Sequence, residues 1–216
     1  MIKAVIFDLD GTLLNTLEDL KDSTNFALAE FNYPSRNLEE IRCFVGNGVK
    51  KLIERAIPGG SDNKDFEKCL SVFKEHYSQN MYNHTAPYNS ILEILKELKQ
   101  NKFKIAVVSN KFDSAVKELC KKYFCDFIDV SIGQSDNVPK KPAPDSVFKA
   151  IEELGVEPVE CIYVGDSEVD VQTSKNAHLP CIGVTWGFRS KDVLQKEGCE
   201  YIIDKPCDII NLIKEL

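Results

Sequence analysis

Two carboxylates, Asp8 and Asp10, follow directly on an apolar run near the start of the chain, with one leucine between them. Near the end of a strand, residues i and i+2 project on the same side, so both carboxylates can flank one bound group while Leu9 faces the core. An ionised carboxylate can attack phosphorus, and a second one can transfer the protons that the reaction needs. A solvated turn is the alternative, but charges that end a buried run are costly without a function.

Other polar residues also follow apolar runs. Ser109 and Asn110 come directly after one such run, and Asp166 comes soon after another. A loop further along the chain carries Lys140 and Lys141. Parallel α/β sheets bind their ligands at the carboxyl ends of the strands. If the runs are neighbouring strands, three aspartates, a hydroxyl and a lysine converge on one edge of the sheet.

Such a cluster predicts both a metal ion and an anionic ligand. Carboxylates in close proximity repel one another unless a cation or protons intervene. Mg²⁺ suits oxygen ligands and is commonly held by one or two carboxylates together with a phosphate oxygen. Ser109 and a lysine can then hold the phosphate, although a serine hydroxyl at a strand end can instead bond to nearby backbone. We therefore expect Mg²⁺ and a phosphate ester at this edge.

Short apolar runs that alternate with amphipathic helical patterns predict the fold that positions these residues. The predicted strands are Ala4–Phe7, Ile105–Val108, Phe127–Val130, Cys161–Val164, Cys181–Val184 and Tyr201–Ile203. Helical stripes lie at residues 91–98, 116–124 and 147–154. Continuous apolar strands between such helices are typical of an α/β fold, in which a parallel sheet has helices on both faces.

One stretch, from about Asn15 to Thr85, breaks this alternation. Helical spacing of apolar residues begins at Leu17 and recurs twice further on, and Thr16 with Asp19 resembles a capping box. No good strand pattern occurs in the stretch. The sequence therefore predicts an all-helical domain at 15–85, inserted into an α/β core made of 1–14 and 86–216.

Composition excludes some classes of partner. The 216 residues are 43% hydrophobic and 28% charged, as in soluble globular proteins. The 34 acidic residues outnumber the 27 basic ones, which argues against nucleic acid and anionic membranes as partners. The eight cysteines form no CxxC pair, and no apolar span of about 20 residues is present. We expect a reduced, cytoplasmic protein that acts on a small molecule.

Four segments together resemble a known family. The segments FDLDGT at 7–12, VVSNK at 107–111, KPAPD at 141–145 and GDSEVD at 165–170 are similar to the four motifs of haloacid-dehalogenase-superfamily phosphatases, in the family's order. The resemblance implies a Rossmann-like core, Mg²⁺ and a covalent aspartyl-phosphate. It also implies that the helical insertion is a cap domain.

The resemblance assigns the catalytic and phosphate-binding roles. Asp8 corresponds to the nucleophile and Asp10 to the general acid and base. Ser109 and Lys141 correspond to the phosphate holders, and the position directly before Pro-x-Pro is what selects Lys141 over its neighbour. Asn110 either touches the phosphate or shapes the loop.

The resemblance also assigns a metal site. Asp166 corresponds to a metal ligand, beside Asp8 and the backbone carbonyl of Asp10. Asp170 corresponds to an acidic position that supports this site. Its spacing from Ser167 is also that of a capping box, so Asp170 caps a helix, supports the metal or does both.

Within the superfamily, segments at 44–56, 109–113 and 184–189 resemble phosphoglycolate phosphatases most. This favours 2-phosphoglycolate among small phosphorylated metabolites. The loop Gly46-Asn47-Gly48 precedes a predicted helix, and free backbone N–H groups there can bind a substrate carboxylate. The alternative is that Gly46 ends one helix and Asn47 caps the next.

Other functions remain open on the same core. A pyrophosphatase, a sugar-phosphate phosphatase and a phosphomutase would all use this set of residues. A non-enzymatic receiver domain also holds an aspartyl-phosphate with acidic residues, a hydroxyl and a lysine. A receiver is much shorter and needs no helical insertion, which counts against it here.

Overall fold

The computed structural model describes residues 1–135 and 138–216. The chain divides into two compact units. The first unit joins Met1–Leu14 to Pro87–Leu216, and the second is Asn15–Ala86. The end of the second unit lies one residue beyond the predicted range 15–85.

The first unit is built on a six-stranded sheet in the order β5-β4-β1-β6-β7-β8. The strands are β1 (Ala4–Phe7), β2 (Leu14–Asn15), β3 (Ala86–Pro87), β4 (Lys104–Phe112), β5 (Val130–Gln134), β6 (Cys161–Gly165), β7 (Cys181–Val184) and β8 (Tyr201–Ile203). All neighbours in the six-stranded sheet pair in parallel. Strands β2 and β3 form a separate two-stranded sheet.

The helices that belong to the first unit cover its sheet and complete the Rossmann-like α/β fold that the sequence predicted. The helices are α1 (Leu17–Ala29), α2 (Leu38–Phe44), α3 (Val49–Ala56), α4 (Phe66–Asn80), α5 (Ile91–Gln100), α6 (Asp113–Phe124), α7 (Asp145–Leu154), α8 (Glu168–Asn176), α9 (Lys191–Lys196) and α10 (Asp208–Glu215). Ile6 joins side chains of α7 and α8 in one core cluster. Val5 and Phe7 alternate to the other face and are also buried, so both faces of the central strand are covered.

One predicted strand, Phe127–Val130, is wrong, because β5 begins only at Val130. The amides of Phe127 and Ile128 both donate to the carbonyl of Phe124, which closes the end of α6. The apolar residues at this point therefore complete a helix end rather than open a strand. A short apolar run does not distinguish the two by itself.

The second unit contains helices α1 to α4, and its predicted capping box at Thr16 and Asp19 is wrong. The side chain of Thr16 makes no capping hydrogen bond to α1. The carboxylate of Asp19 instead accepts hydrogen bonds from the amides of His84 and Thr85 and from the Thr85 hydroxyl. Asp19 therefore ties the start of α1 to the end of the same unit.

Two further observations concern membranes and thiols. Within residues 1–135 and 138–216, no helix combines the length and the apolar character that a membrane crossing requires. All eight cysteines belong to the described part of the chain and are free thiols. Cys161 and Cys181 are buried and behave as small core side chains.

Candidate active site

The strand register of the first unit brings the predicted polar residues to one edge. Phe7, at the end of β1, aligns with Val107 of β4 and with Val164 of β6. Because these three strands run in parallel, the residues after the aligned positions all lie toward the same carboxyl edge, although β4 itself continues to Phe112. Asp8, Ser109 and Asp166 are therefore neighbours although they are far apart in sequence.

Three buried aspartates form the centre of this edge. Carboxylate oxygens of Asp8, Asp166 and Asp170 all lie within 4.8 Å of one another. The ammonium of Lys141 lies 2.8 Å from Asp8 Oδ1 and 2.8 Å from Asp170 Oδ1. Lys141 thus pairs with two of the three carboxylates, so in their ionised form the three aspartates carry two more negative charges than this ammonium balances.

Burial dominates the electrostatics of the cluster. It raises the pKa of Asp8 to about 7, against a smaller opposing effect of the Lys141 charge. It also raises the pKa of Asp166 well above its usual range, and the charges of Asp170 and Asp8 act in the same direction. Burial alone would lower the pKa of Lys141, but Asp170 and Asp8 hold it well above its usual value. The lysine therefore stays charged while the carboxylates lack full compensation.

Asp166 is fixed by residues from two loops. The Thr12 hydroxyl donates to its Oδ1 over 3.2 Å, and the Phe188 amide donates to its Oδ2 over 2.7 Å. Gly11 and Gly187 pack directly against the carboxylate, because a Cβ at either position would lie less than 3.0 Å from Asp166 atoms. None of the three residues Thr12, Gly187 and Phe188 was predicted from the sequence to have a role.

Asp170 is the residue for which the sequence left two roles open, a helix cap and the support of a metal. It forms the capping box at the start of α8, in which its Oδ2 accepts from the amide and hydroxyl of Ser167. Its Oδ1 accepts from Lys141 and from the Tyr163 hydroxyl. A Cβ on Gly165 would lie less than 3.0 Å from Asp170, so the end of β6 must approach it closely. The helix cap is confirmed, and support of a metal stays a prediction.

Asp10 is not a member of the three-aspartate cluster that the described residues form. Its two carboxylate oxygens accept hydrogen bonds of 2.9 and 3.0 Å from the ammonium of Lys111. This is compatible with a metal contact through the backbone carbonyl of Asp10, which is the contact that the sequence predicted. Lys111 was not predicted, although its spacing of two residues from Ser109 was the available signal.

The predicted phosphate holders are buried, and two of them, Asn110 and Lys141, contact each other. Ser109 Oγ accepts a 3.3 Å hydrogen bond from the Lys111 amide, and Asn110 Nδ2 donates to the carbonyl of Lys141 over 3.0 Å. Asn110 therefore shapes the loop that delivers Lys141. Lys140 is exposed whereas Lys141 is buried in the cluster, which agrees with the choice between the two lysines.

The loop Gly46-Asn47-Gly48 belongs to the second unit and connects α2 to α3. The guanidinium of Arg55 donates to Asn47 Oδ1 over 2.8 Å and to the carbonyl of Phe44 over 2.7 Å. Gly48, with φ of 83°, directly precedes the first residue of α3, and no side-chain hydrogen bond caps this helix. The alternative in which Asn47 caps the helix is therefore wrong, because its side chain is held by Arg55.

Fold and site together define the class of protein. Residues 5–184 match the model of the haloacid dehalogenase-like hydrolases, and the chain belongs to this family. The match includes the first strand, the edge residues and the helical unit.

Relatives extend the similarity over nearly the whole chain. A phosphoglycolate phosphatase of Aquifex aeolicus is 30% identical over 213 residues, which cover 98% of this chain and 97% of the relative. One from Thiobacillus denitrificans is 33% identical over 193 residues, which cover 87% of this chain and 85% of the relative. A solved structure from Lactobacillus delbrueckii subsp. bulgaricus, provisionally named a phosphoglycolate phosphatase, has a TM-score of 0.93 and 34% identity, and the match covers 98% of each chain.

Proposed function

We propose that the protein is a Mg²⁺-dependent phosphatase that hydrolyses a small phosphorylated metabolite, with 2-phosphoglycolate as the favoured substrate. The observation that carries this proposal is the buried cluster of Asp8, Asp166 and Asp170 at the carboxyl edge of the sheet, in which Lys141 pairs with Asp8 and Asp170. The family membership and the names of the full-length relatives support the choice of reaction and substrate.

The donor set fits a hard divalent cation. All three side chains offer carboxylate oxygens, the ligand type that Mg²⁺ prefers, and the excess of two negative charges matches its charge. Asp8 and Asp166 would hold the ion together with the carbonyl of Asp10, and Asp170 would support them. When bound, Mg²⁺ would neutralise these carboxylates and polarise the phosphoryl group.

The chain's own residues supply the two chemical steps. In the first, a carboxylate oxygen of Asp8 forms a bond to phosphorus while the ester oxygen–phosphorus bond breaks, and Asp10 gives a proton to the departing oxygen. In the second, Asp10 takes a proton from water, whose oxygen attacks phosphorus and restores the Asp8 carboxylate. Ser109 and Lys141 would hold the phosphoryl oxygens in both steps.

A panel of phosphate esters tests the proposal. We expect the highest kcat/KM for 2-phosphoglycolate when it is compared with pyrophosphate, glucose phosphates and p-nitrophenyl phosphate in Mg²⁺. Turnover should vanish in EDTA and return when Mg²⁺ is added in excess. Full activity of a preparation shown to be metal-free by elemental analysis would refute the metal. A much higher kcat/KM for another panel member would refute the substrate.

A further inference from the structure

Lys111 is a buried cation at the active-site edge. Neither of the two proposed chemical steps gives it a role. Only 2% of its side chain is exposed, and its ammonium bonds to both carboxylate oxygens of Asp10. It lies in β4, two residues after Ser109. The ammonium is therefore built into the sheet edge rather than added at the surface.

Stability alone does not explain this lysine. Removing an ammonium from water is costly even when it gains an ion pair, and a neutral side chain often serves as well. The partner, Asp10, retains 13% exposure of its side chain, so solvent already reaches that carboxylate. We therefore expect this buried cation to contribute to the binding of a ligand beside Asp10 more than to the stability of the fold.

The position of Lys111 relative to the departing oxygen gives it a binding task. In the proposed function, Asp10 gives its proton to the ester oxygen and must therefore contact it. Lys111 lies 2.9 Å from Asp10, so it is adjacent to the space that the departing alcohol occupies. In 2-phosphoglycolate one methylene separates that oxygen from a carboxylate. An ammonium has three N–H donors, so Asp10 and a second anion can share it.

We propose that Lys111 is a specificity-determining residue that binds an anionic group next to the ester oxygen of the substrate. The inference rests on the proposed function and names the class of substrate that the site selects: short phosphate esters whose alcohol carries a carboxylate. It places recognition of that carboxylate in the unit that performs the chemistry. The loop Gly46–Gly48 then has a different task, since its Asn47 is engaged by Arg55.

A pair of matched esters tests this inference. The substrates are 2-phosphoglycolate and the phosphate ester of glycolamide, which has nearly the same shape but carries an amide instead of the carboxylate. Wild type should prefer the charged ester. Lys111→Met should lower kcat/KM about 10- to 100-fold more for the charged ester than for the amide ester, the range expected for one hydrogen bond to a charged group. Lys111→Arg should restore part of the preference, and the exposed-lysine control Lys140→Met should leave it unchanged.

Several outcomes would overturn the inference. Equal losses on both esters would mean that Lys111 only holds Asp10 in place. A wild type that turns over both esters without preferring the charged one overturns it even if Lys111→Met fails to fold. In both of these cases the proposed phosphatase function survives. A wild type that hydrolyses no ester of the panel in Mg²⁺ would instead overturn the proposed function together with the inference.

Discussion

The sequence predicted two substrate-binding regions, the sheet edge and the loop Gly46–Gly48, and their polar groups are held in different ways. At the sheet edge of the first unit, Asp8, Asp166 and Asp170 are buried and share their ion pairs and hydrogen bonds with residues from several elements. In the second unit, the loop Gly46–Gly48 is half-buried and is held chiefly by Arg55. When one member of a buried network is removed, the remaining charged and polar groups lose their partner and cannot reach water. The polar groups of a half-buried loop can bind water instead.

This difference predicts a graded response to mutation. Substitutions of the three clustered aspartates should act on the chemistry and affect every substrate. Substitutions in the loop should have small effects. The largest effect is expected where the proposed covalent bond forms.

Asp8→Asn should abolish both turnover and the phosphoenzyme, because an amide is not a competent nucleophile. The measurement is steady-state hydrolysis together with acid trapping of phosphorylated protein. Asp192→Asn, at an exposed aspartate of α9, is the matched control and should behave as wild type. Turnover of Asp8→Asn close to that of wild type would contradict the assignment, provided that mass spectrometry excludes deamidation back to aspartate.

Asp10→Asn should reduce kcat for 2-phosphoglycolate by about 10²- to 10⁴-fold, since it removes proton transfer but leaves the nucleophile. The loss should be smaller with p-nitrophenyl phosphate, whose alcohol departs readily without a proton. Parallel kinetics with the two substrates give the comparison. Equal losses would show that Asp10 acts on something other than the departing oxygen.

Gly187→Ala tests whether a residue distant from Asp166 in sequence fixes the position of the Asp166 carboxylate. The new Cβ would lie less than 3.0 Å from Asp166 and from the Gly11 carbonyl, so the carboxylate must move. We expect the affinity for Mg²⁺ to fall about 10- to 100-fold, as for other changes in groups that support metal ligands. Titration calorimetry with Mg²⁺ measures this without turnover. Ser190→Ala, at an exposed position three residues on, is the control. Unchanged Mg²⁺ affinity would mean that Asp166 is not a ligand or that the loop relaxes freely.

Gly187 also shows where prediction from the sequence ends. Asp8, Ser109 and Asp166 were identified because apolar runs end at or near them, which is a local pattern, and parallel order then brings the strand ends together. Gly187 and Phe188 reach Asp166 through the loop after β7. No spacing in the sequence encodes that contact, because it depends on how the loop packs against another strand end.

The two errors in the predicted elements have different origins. The run at Phe127 was apolar enough for a strand, but its amides complete the end of α6. Asp19 had the spacing of a capping residue, but the amides of His84 and Thr85 bind its carboxylate. At Asp19 a tertiary contact outweighed a local pattern, whereas at Phe127 a local helix end competed with the strand pattern.

The smallest effect is expected in the loop of the second unit. Asn47→Ala removes the acceptor that Arg55 binds, but Arg55 keeps its bond to the Phe44 carbonyl. One exposed hydrogen bond contributes only about 0.5–1 kcal/mol, so kcat/KM should fall at most about fivefold. The loss should be equal for 2-phosphoglycolate and for the glycolamide ester if Lys111 is the residue that reads the carboxylate. A selective loss on the charged ester would mean that the loop recognises the carboxylate, as the sequence predicted. Measured beside Lys111→Met, this variant decides which unit recognises the carboxylate, because the two substitutions predict opposite patterns on the same pair of esters.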